Sequence, residues 1–248
     1  MNDPIRTANA FLTSFSHTFQ VTYATKSVDL APLRGVDYRG TGYTPTDLEF
    51  GVIDTAPEEA LYVLQTAIGA EELKVTLNVF HEEEEPVQDL FGPYQEFGFE
   101  MLYTSPVLKV DLPAPFEVAP VDIRMVTRTE DVAFANATLA EDDGRLAESV
   151  LVSSTVRDLI TVMDEQVVAS TEITLAADSM GYISKMYTLP DYRRRGIAAA
   201  LLNRAHEEML GAGRSASILA PSYMARNYYQ RFGYAPAVYF SVLTRNFG

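Results

Sequence analysis

The sequence predicts an α+β protein built from two tandem units of the same fold. The hexapeptide YQEFGF at residues 94–99 returns as YQRFGY at residues 229–234. The pair Val107–Leu108 recurs at the same spacing as Val242–Leu243, inside a second strand-like stretch. A motif and its flank that repeat together are typical of a duplicated unit. Strand-like and helix-like segments fill both halves of the chain.

Composition limits the classes of function. The 248 residues allow one or two domains, and 34 acidic against 19 basic residues give a net charge of −15. Such a charge repels nucleic acid and anionic membranes, so we expect neither as a partner. Because there is no cysteine and only three scattered histidines, we expect no disulfide, thiolate nucleophile or metal site. The start is unlike a signal peptide and no apolar run is long enough for a membrane span, which indicates a soluble, cytoplasmic protein.

A proline-rich stretch divides the chain. Three prolines lie within DLPAPFEVAPVD at residues 111–122, and proline both fixes φ and removes a backbone donor. We therefore expect a stiff connector at 113–120, between a first domain at 1–112 and a second at 121–248. The alternative is a proline-rich loop inside one domain.

The second half is predicted to have the order βααβββαβαβ. Apolar residues four apart, from Ile197 to Met209, give the longest helix one buried face, and Gly211 and Gly213 follow its end. The predicted strands are 121–127, 157–164, 167–176, 181–189, 215–221 and 237–245. The predicted helices are 130–140, 144–154, 196–210 and 222–232.

The first half is predicted as a shorter, altered copy. Its strands are 19–25, 47–54 and 73–80, and its helix is 56–69. The segment HEEEEPV at 81–87 is interpreted as an insertion relative to the second copy. Four consecutive glutamates repel one another, so we expect them in a solvated loop.

An arginine turn carries the candidate chemistry. Arg193, Arg194 and Arg195 precede Gly196, which opens an alanine-rich helix. Cations are unfavourable at a helix N-terminus because the macrodipole is already positive there, so the pattern favours a bound anion. The alternative is a solvated arginine cluster. A single glycine and the missing Gly-Lys-Ser/Thr exclude the dinucleotide fingerprint and the phosphate loop of kinases and nucleotide hydrolases.

The spacing Arg193-x-x-Gly196-x-Ala198 resembles the acyl-CoA pyrophosphate loop, Q/R-x-x-G-x-G/A, of the GNAT superfamily of N-acetyltransferases. The helix that follows resembles the family's next motif, N-x-x-A-x-x-x-Y-x-x-x-G-F. Its matching residues are Ala225, Tyr229, Gly233 and Tyr234, with Ser222 in place of asparagine. The resemblance covers residues 121–248, and the repeat extends it to two tandem GNAT-like units. It implies that each unit is a mixed, mostly antiparallel twisted sheet flanked by helices.

The resemblance also implies the site. An amine attacks the thioester of acetyl-CoA directly, the Met186 N–H polarises the thioester carbonyl, and Thr188 pairs with the pantetheine amides. Tyr229 is the candidate general acid for the CoA thiolate, with a buried core aromatic as the alternative; neighbouring Tyr228 is expected in the core. The implied cofactor-binding residues are Met186, Tyr187, Thr188, Arg193, Arg194, Arg195, Gly196, Ile197, Ala198 and Ser222. At least one of the arginines can instead face the adenosine phosphate or solvent.

The general base is left open. Tyr182 stands where some relatives have a glutamate, and Glu172, Asp178 or a water chain are the alternatives. Carboxylates at such strand edges are more often simply solvated. His206 is expected at the surface.

The first unit is predicted to have lost the cofactor site. Where the second copy has DYRRRGIA, the first has IDTAPEEA, in which Thr55-x-x-Glu58 reads as a capping box. Asp54, Glu58 and Glu59 would repel a pyrophosphate. Tyr94, the counterpart of the candidate acid, is expected to be a core residue.

The predicted function is therefore N-acetyl transfer from acetyl-CoA to a primary amine on a small molecule or peptide. The alternative is a non-catalytic CoA-binding sensor or interaction module on the same fold. Intact arginine and tyrosine motifs favour the enzyme. The acidic composition favours a cationic acceptor only weakly. A monomer that acts as a pseudo-dimer of repeats and a homodimer both fit the sequence.

Overall fold

The chain divides into two compact units, each made of segments that are distant in sequence. The computed structural model describes residues 3–41, 46–69, 71–85, 88–118, 120–139 and 145–247. Unit 1 consists of Met1–Leu108, Ala220–Tyr229 and Ala235–Gly248, and unit 2 consists of Lys109–Leu219 and Gln230–Tyr234.

Both units contain helices and strands. In chain order they are α1 (Pro4–Tyr23), β1 (Lys26–Leu30), β2 (Leu33–Asp37), β3 (Leu48–Val52), α2 (Pro57–Ile68), β4 (Leu73–His81), α3 (Gln88–Glu96), β5 (Glu100–Asp111), β6 (Asp122–Met125), α4 (Thr129–Leu139), β7 (Val156–Met163), β8 (Gln166–Thr174), β9 (Met180–Thr188), α5 (Ile197–Gly211), β10 (Ala216–Leu219), α6 (Arg226–Gln230) and β11 (Ala235–Phe247). Short 3-10 helices cover Glu148–Val152, Pro190–Tyr192 and Tyr223–Ala225.

Unit 1 is a mixed sheet with the strand order β1-β2-β3-β4-β11-β5, to which β5 contributes its residues up to Leu108. β1 with β2, β2 with β3 and β4 with β11 are antiparallel, whereas β3 and β4 run parallel. Its buried core joins side chains of the strands and of α2 and α3, among them Phe50, Leu64, Leu77 and Tyr94.

Unit 2 is a second mixed sheet, with the order β10-β9-β8-β7-β6. Only the β9–β10 pair among these neighbours is parallel. Helix α5 lies on one face, where Arg157 of β7 pairs with Glu208 at 2.9 Å. Helix α4 packs on the other face, around Ile160. Arg157 and Ile160 project from opposite faces because successive side chains of a strand alternate. Mixed, mostly antiparallel sheets flanked by helices confirm the predicted fold class.

The first helix corrects a prediction. Residues 19–25 are predicted as a strand from their aromatic and β-branched side chains, but most of them belong to α1. The Asp3 carboxylate caps this helix by accepting the Arg6 backbone N–H at 2.9 Å. Phe11 stacks on Phe240 with ring centroids 5.5 Å apart. Burial of this helical face overrides the local strand propensity.

The other predicted elements of the first half are confirmed as β3, α2 and β4. The structure adds β1 and β2, which are not predicted from the sequence. Glu82–Glu85 of the predicted insertion are exposed, as expected of a solvated loop, while residues 86–87 lie outside the described part of the chain.

In the second half two helices are shorter than predicted. The helix predicted at 222–232 is the 3-10 helix Tyr223–Ala225 followed by α6, Arg226–Gln230. Helix α4 is confirmed, but the helix predicted at 144–154 is only the 3-10 helix Glu148–Val152. Residues 140–144, where the two predicted helices end and begin, lie outside the described residues. The connector residues 112–118 form neither helix nor strand, as their prolines predict.

The repeated hexapeptide has the same local structure in both copies. It contains the last turn of α3 in one copy and of α6 in the other, and β5 and β11 begin directly after it. Gly98 and Gly233 have φ values of 90° and 84°. A positive φ costs glycine nothing sterically, which explains why each copy has glycine at this point.

The last strand lies in unit 1, although the prediction places all of residues 121–248 in the second domain. β11 pairs with β4 from Tyr239↔His81 to Phe247↔Leu73, and Leu243 is fully buried in the core of unit 1. The sequence predicts this strand correctly, but its hydrogen-bonding partner is a long-range choice that local pattern does not specify.

We expect Leu243→Ala to lower the free energy of unfolding by about 2–5 kcal/mol, because it leaves a cavity in a packed core. Urea denaturation followed by circular dichroism measures this loss. Asn246→Ala, an exposed position on the same strand, should stay within about 0.5 kcal/mol of the native chain. Equal stability of the two variants would contradict the packing of β11 in this core.

Candidate functional site

Strand β9 extends beyond its parallel neighbour. Its pairing with β10 covers Met180–Tyr182, and the strand continues to Thr188. Unit 2 therefore presents the end of a strand whose pairing on the β10 side has already stopped. Met186, Tyr187 and Thr188 lie on this overhang and are half-buried.

A β-bulge interrupts the other side of the same overhang. Ser170 pairs with Tyr187 and Glu172 with Ser184, so β9 has one residue more than β8 between these pairs. Lys185, inside the bulge, has a φ of 49°. Bulges of this kind are frequent beside active sites, because they redirect the backbone groups of a strand.

Unit 1 lacks such an overhang at the corresponding strands. The parallel pairing of β3 with β4 runs from Leu48↔Val75 to Val52↔Val79 and so covers all of β3. No residue of β3 extends beyond its pairing with β4, so β3 offers no unpaired backbone to the amide groups of a ligand.

The arginine turn leads directly into α5. Pro190–Tyr192 forms a 3-10 turn, and Gly196 precedes the helix with φ 80° and ψ 0°. No side chain caps the helix start, so its first N–H groups are available to an anion. Ile197 is buried, whereas Ala198 is only partly buried.

All three arginines are exposed. Arg193 Nε donates to the Thr188 carbonyl at 2.9 Å, and Arg195 donates to the Asp191 carbonyl at 2.9 Å. The Arg195 guanidinium also lies 4.9 Å from the ring centroid of Tyr192. Within the described stretches, none of the three forms an ion pair with a carboxylate. Their positive charge is therefore not neutralised by the protein.

The matching turn of unit 1 has the opposite charge. Glu58 and Glu59 lie in the first turn of α2, where they would repel a phosphate. The predicted capping box is wrong, because Ala56 is the N-cap residue and the Thr55 hydroxyl donates to the Ile53 carbonyl at 2.9 Å instead. The proline after Ala56 shifts the helix start by one residue, which takes Thr55 out of the capping position.

The candidate acid Tyr229 lies on α6 in unit 1, whereas the arginine turn lies in unit 2. Its side chain is buried, and burial raises the pKa of its hydroxyl. Tyr228 is only half-buried, which corrects its expected place in the core; its ring centroid is 5.4 Å from that of Tyr229. Ser222, the N-cap of the preceding 3-10 turn, is exposed.

Of the candidate bases, Asp178 is exposed and Tyr182 is buried on β9. Glu172 is also buried, which contradicts the expectation of a solvated carboxylate. Its Oε1 accepts the Ser184 hydroxyl at 2.9 Å, and its Oε2 lies 3.5 Å from Lys185 Nζ. A buried carboxylate requires such donors.

Asp158, which is not among the predicted site residues, lies on β7 opposite Glu172 of β8. Burial raises the pKa of the Asp158 carboxyl well above its ordinary value; the nearby charge of Glu172 adds to this, and Lys185 opposes it. The signal was present in the sequence, because Asp158 alternates in register with the apolar residues Val156, Ile160 and Val162 of its strand.

His206 is buried, although it is expected at the surface. Its Nε2 lies 2.8 Å from the Tyr234 hydroxyl, which lies 2.6 Å from Ser217 Oγ. Its ring meets Phe116 edge to face. Because it follows Leu202 by four residues and precedes Met209 by three, helical spacing places it on the apolar face of α5.

We expect the stability of the protein to fall as the pH is lowered through the titration range of His206. Burial lowers the pKa of this imidazole from 6.5 to about 4. Between these values the unfolded chain binds a proton that the folded protein does not, which costs about 2 kcal/mol by pH 5. Melting temperatures from pH 7.5 to pH 5 measure the effect.

The control is His206→Gln, which keeps a polar partner for Tyr234 but gains no proton. Its melting temperature should fall less over the same pH range. Parallel decreases in the two proteins would show that another group titrates.

Two further observations concern ligands and membranes. No helix in the described stretches combines the length and apolar character needed to cross a bilayer. Among the same residues, no group of three or more histidine, aspartate or glutamate side chains is arranged to hold a metal ion.

The sequence model of a protein family described as "Acetyltransferase (GNAT) domain" matches residues 159–237. This range contains the overhang, the arginine turn, α5 and the second hexapeptide. A search of curated proteins found no significant match.

Several solved structures share the fold. A GCN5-related N-acetyltransferase from Kribbella flavida is 22% identical, with a TM-score of 0.73 over 98% of this chain and 96% of that chain. A tandem GNAT protein from the clavulanic acid biosynthesis pathway is 11% identical, with a TM-score of 0.62 over 87% of this chain and 78% of that one. A GCN5-related N-acetyltransferase from Sphaerobacter thermophilus is 15% identical, with a TM-score of 0.51 over 81% and 73%.

Residues 159–237, in the C-terminal half of the chain, are therefore similar in sequence to a GNAT acetyltransferase domain. The structural similarities extend over nearly the whole chain and confirm the predicted tandem fold. The matched domain and the fold support acetyl transfer in general.

Proposed function

We propose that the protein transfers an acetyl group from acetyl-CoA to a primary amine by direct attack of the amine on the thioester. The observation that carries this proposal is the arginine turn. It brings unneutralised cations and an uncapped helix start together directly after the β9 overhang. An elongated ligand with a pyrophosphate and two amide groups fits these features in that order.

The proposed cofactor contacts follow the chain. The residues Arg193–Ala198 hold the pyrophosphate through guanidinium and backbone N–H groups. Thr188 and Tyr187 offer strand backbone to the pantetheine amides, and Ser222 completes the cofactor contacts. The Met186 N–H, next to the bulge, polarises the thioester carbonyl as an oxyanion donor does.

Tyr229 is proposed as the general acid that protonates the departing CoA thiolate. The family motif assigns this role, and a buried phenol with a raised pKa still holds its proton at neutral pH. Unit 1 is proposed to bind no cofactor, because its matching helix start is acidic and its matching strand has no overhang.

An acetylation assay with a panel of amines tests this function. Polyamines, aminoglycosides and lysine peptides are each incubated with acetyl-CoA and the full chain, and CoA thiol release is followed. We expect amine-dependent release with at least one member of the panel. Tight acetyl-CoA binding without transfer to any amine would instead support the CoA-binding sensor.

A further inference from the structure

In the sheet of unit 2, one row of directly paired residues on three neighbouring strands consists of polar side chains; we call this row the rung. Asp158 on β7 pairs directly with Glu172 on β8, and Glu172 pairs directly with Ser184 on β9. Directly opposed residues project from the same face of a sheet. That face is opposite to α5, because Arg157, the neighbour of Asp158, reaches Glu208 of α5.

The charges of this rung do not balance. Asp158 is 4% exposed and Glu172 is 1% exposed, and one ammonium group, that of Lys185, lies beside them. The Oδ2 atom of Asp158 is buried and has no hydrogen-bond partner. A buried carboxylate oxygen without a donor costs free energy, and a ligand that brings a donor would remove this cost.

The rung lies next to the proposed reaction centre. Ser184 is two residues before Met186, so their Cα atoms lie at most roughly 7 Å apart. It also lies past Tyr182, where the pairing with β10 ends. Ser184 is partly exposed while the two carboxylates are buried, so its hydroxyl is the member of the rung that a ligand reaches first.

We propose that Glu172, supported by Asp158 and reached through the Ser184 hydroxyl, is the group that takes the proton of a cationic amine acceptor. This inference rests on the proposed function and names both its base and its acceptor class. Asp158 acts as a positioning residue, because it pairs directly with Glu172 across the two strands. Burial and the nearby charge of Glu172 raise the pKa of the Asp158 carboxyl.

The acceptor ammonium loses two protons in the proposed reaction, one before and one after the C–N bond forms. The acceptor ammonium gives a proton to Ser184 Oγ as the Ser184 hydroxyl proton passes to Glu172 Oε1. The free lone pair then forms the C–N bond while the C–S bond breaks. The sulfur takes the proton of Tyr229, the new amide nitrogen sheds a proton that restores Tyr229, and Glu172 releases its proton to solvent.

The test uses the full chain and the amine of highest turnover in the panel. We expect Glu172→Gln to lower kcat at pH 7 by about 10²–10³-fold, with unchanged acetyl-CoA affinity by calorimetry. Activity should recover towards pH 10, where the amine has lost its proton in solution.

The groups that face Glu172 are Asp158, Ser184 and Lys185, so Asp158→Asn should move the acidic limb of the pH profile. Ser184→Ala should lower kcat while leaving both carboxylates in place.

Thr161→Val is the matched control. Thr161 is buried on β7 with an unpartnered hydroxyl, and it lies three residues from Asp158 on the α5 face of the sheet. Its removal should leave the pH profile unchanged. A Glu172→Gln variant whose kcat equals that of the native chain, or is lowered equally at every pH, would overturn this assignment alone. Failure of the native chain to acetylate any amine would overturn it together with the proposed function.

Discussion

Replacing both Arg195 and Gly196 with glutamate is expected to weaken acetyl-CoA binding by several kcal/mol, or about 10³-fold. The first substitution turns an attraction for phosphate into a repulsion at an uncapped helix start. The second adds another negative charge and places a side chain on a residue with a φ of 80°. Calorimetry on the full chain measures the affinity, and the native chain should bind one acetyl-CoA.

Arg128→Glu provides the control for net charge. Arg128 is exposed and forms a surface pair with Asp131, so its reversal changes the total charge without touching the arginine turn. It should leave the affinity close to that of the native chain. Unchanged affinity in the double variant would disprove the pyrophosphate site. Two bound molecules per native chain would disprove the loss of the site in unit 1.

Removing the Tyr229 hydroxyl should have the second large effect. Tyr229→Phe is expected to lower kcat by about 10²–10³-fold, the range that general acid catalysis supplies. Acetyl-CoA affinity should change little, because the ring remains in place. Steady-state kinetics with a good acceptor and calorimetry separate these two quantities.

The repeat offers a matched control for this experiment. Tyr94 occupies the same position of the first hexapeptide, is fully buried, and has a hydroxyl without a hydrogen-bond partner. Tyr94→Phe therefore deletes an equivalent atom from a residue with no proposed role in catalysis. It should leave kcat unchanged. Native turnover in Tyr229→Phe would show that the thiolate leaves without this proton.

Most strands and helices could be predicted from the sequence, because their apolar spacing and their glycine and proline boundaries are local signals. Helix α1 could not, since residues 19–25 are rich in strand-forming side chains, whereas the buried side chains of the helix, such as Phe11 and Leu12, lie earlier in it. The aspartate and proline at its start are helix signals that outweigh this propensity. The partner of β11 was beyond prediction for a different reason, because strand pairing joins residues far apart in sequence.

The candidate site was predicted unevenly. The arginine turn is contiguous, so its motif and spacing identify it without a structure. Glu172 and Asp158 are separated in sequence and meet only because β7 and β8 pair in one register. His206 is buried although it is polar, because its helical spacing places it on the apolar face of α5. Residues of a contiguous loop can therefore be identified from a sequence motif. Residues that meet across strands can be identified only when the strand pairing is known.

The position of β11 has a consequence for how the protein is made. β4 and β11 are neighbours in one sheet, yet more than half of the chain lies between them. Domains generally fold in order as the chain emerges from the ribosome. Here the sheet of unit 1 has an unpaired edge beside β4 until β11, which follows the segments of unit 2 in the chain, has been synthesised. The nascent chain therefore carries an aggregation-prone strand edge while the residues between β4 and β11 are synthesised, and β11 then closes it.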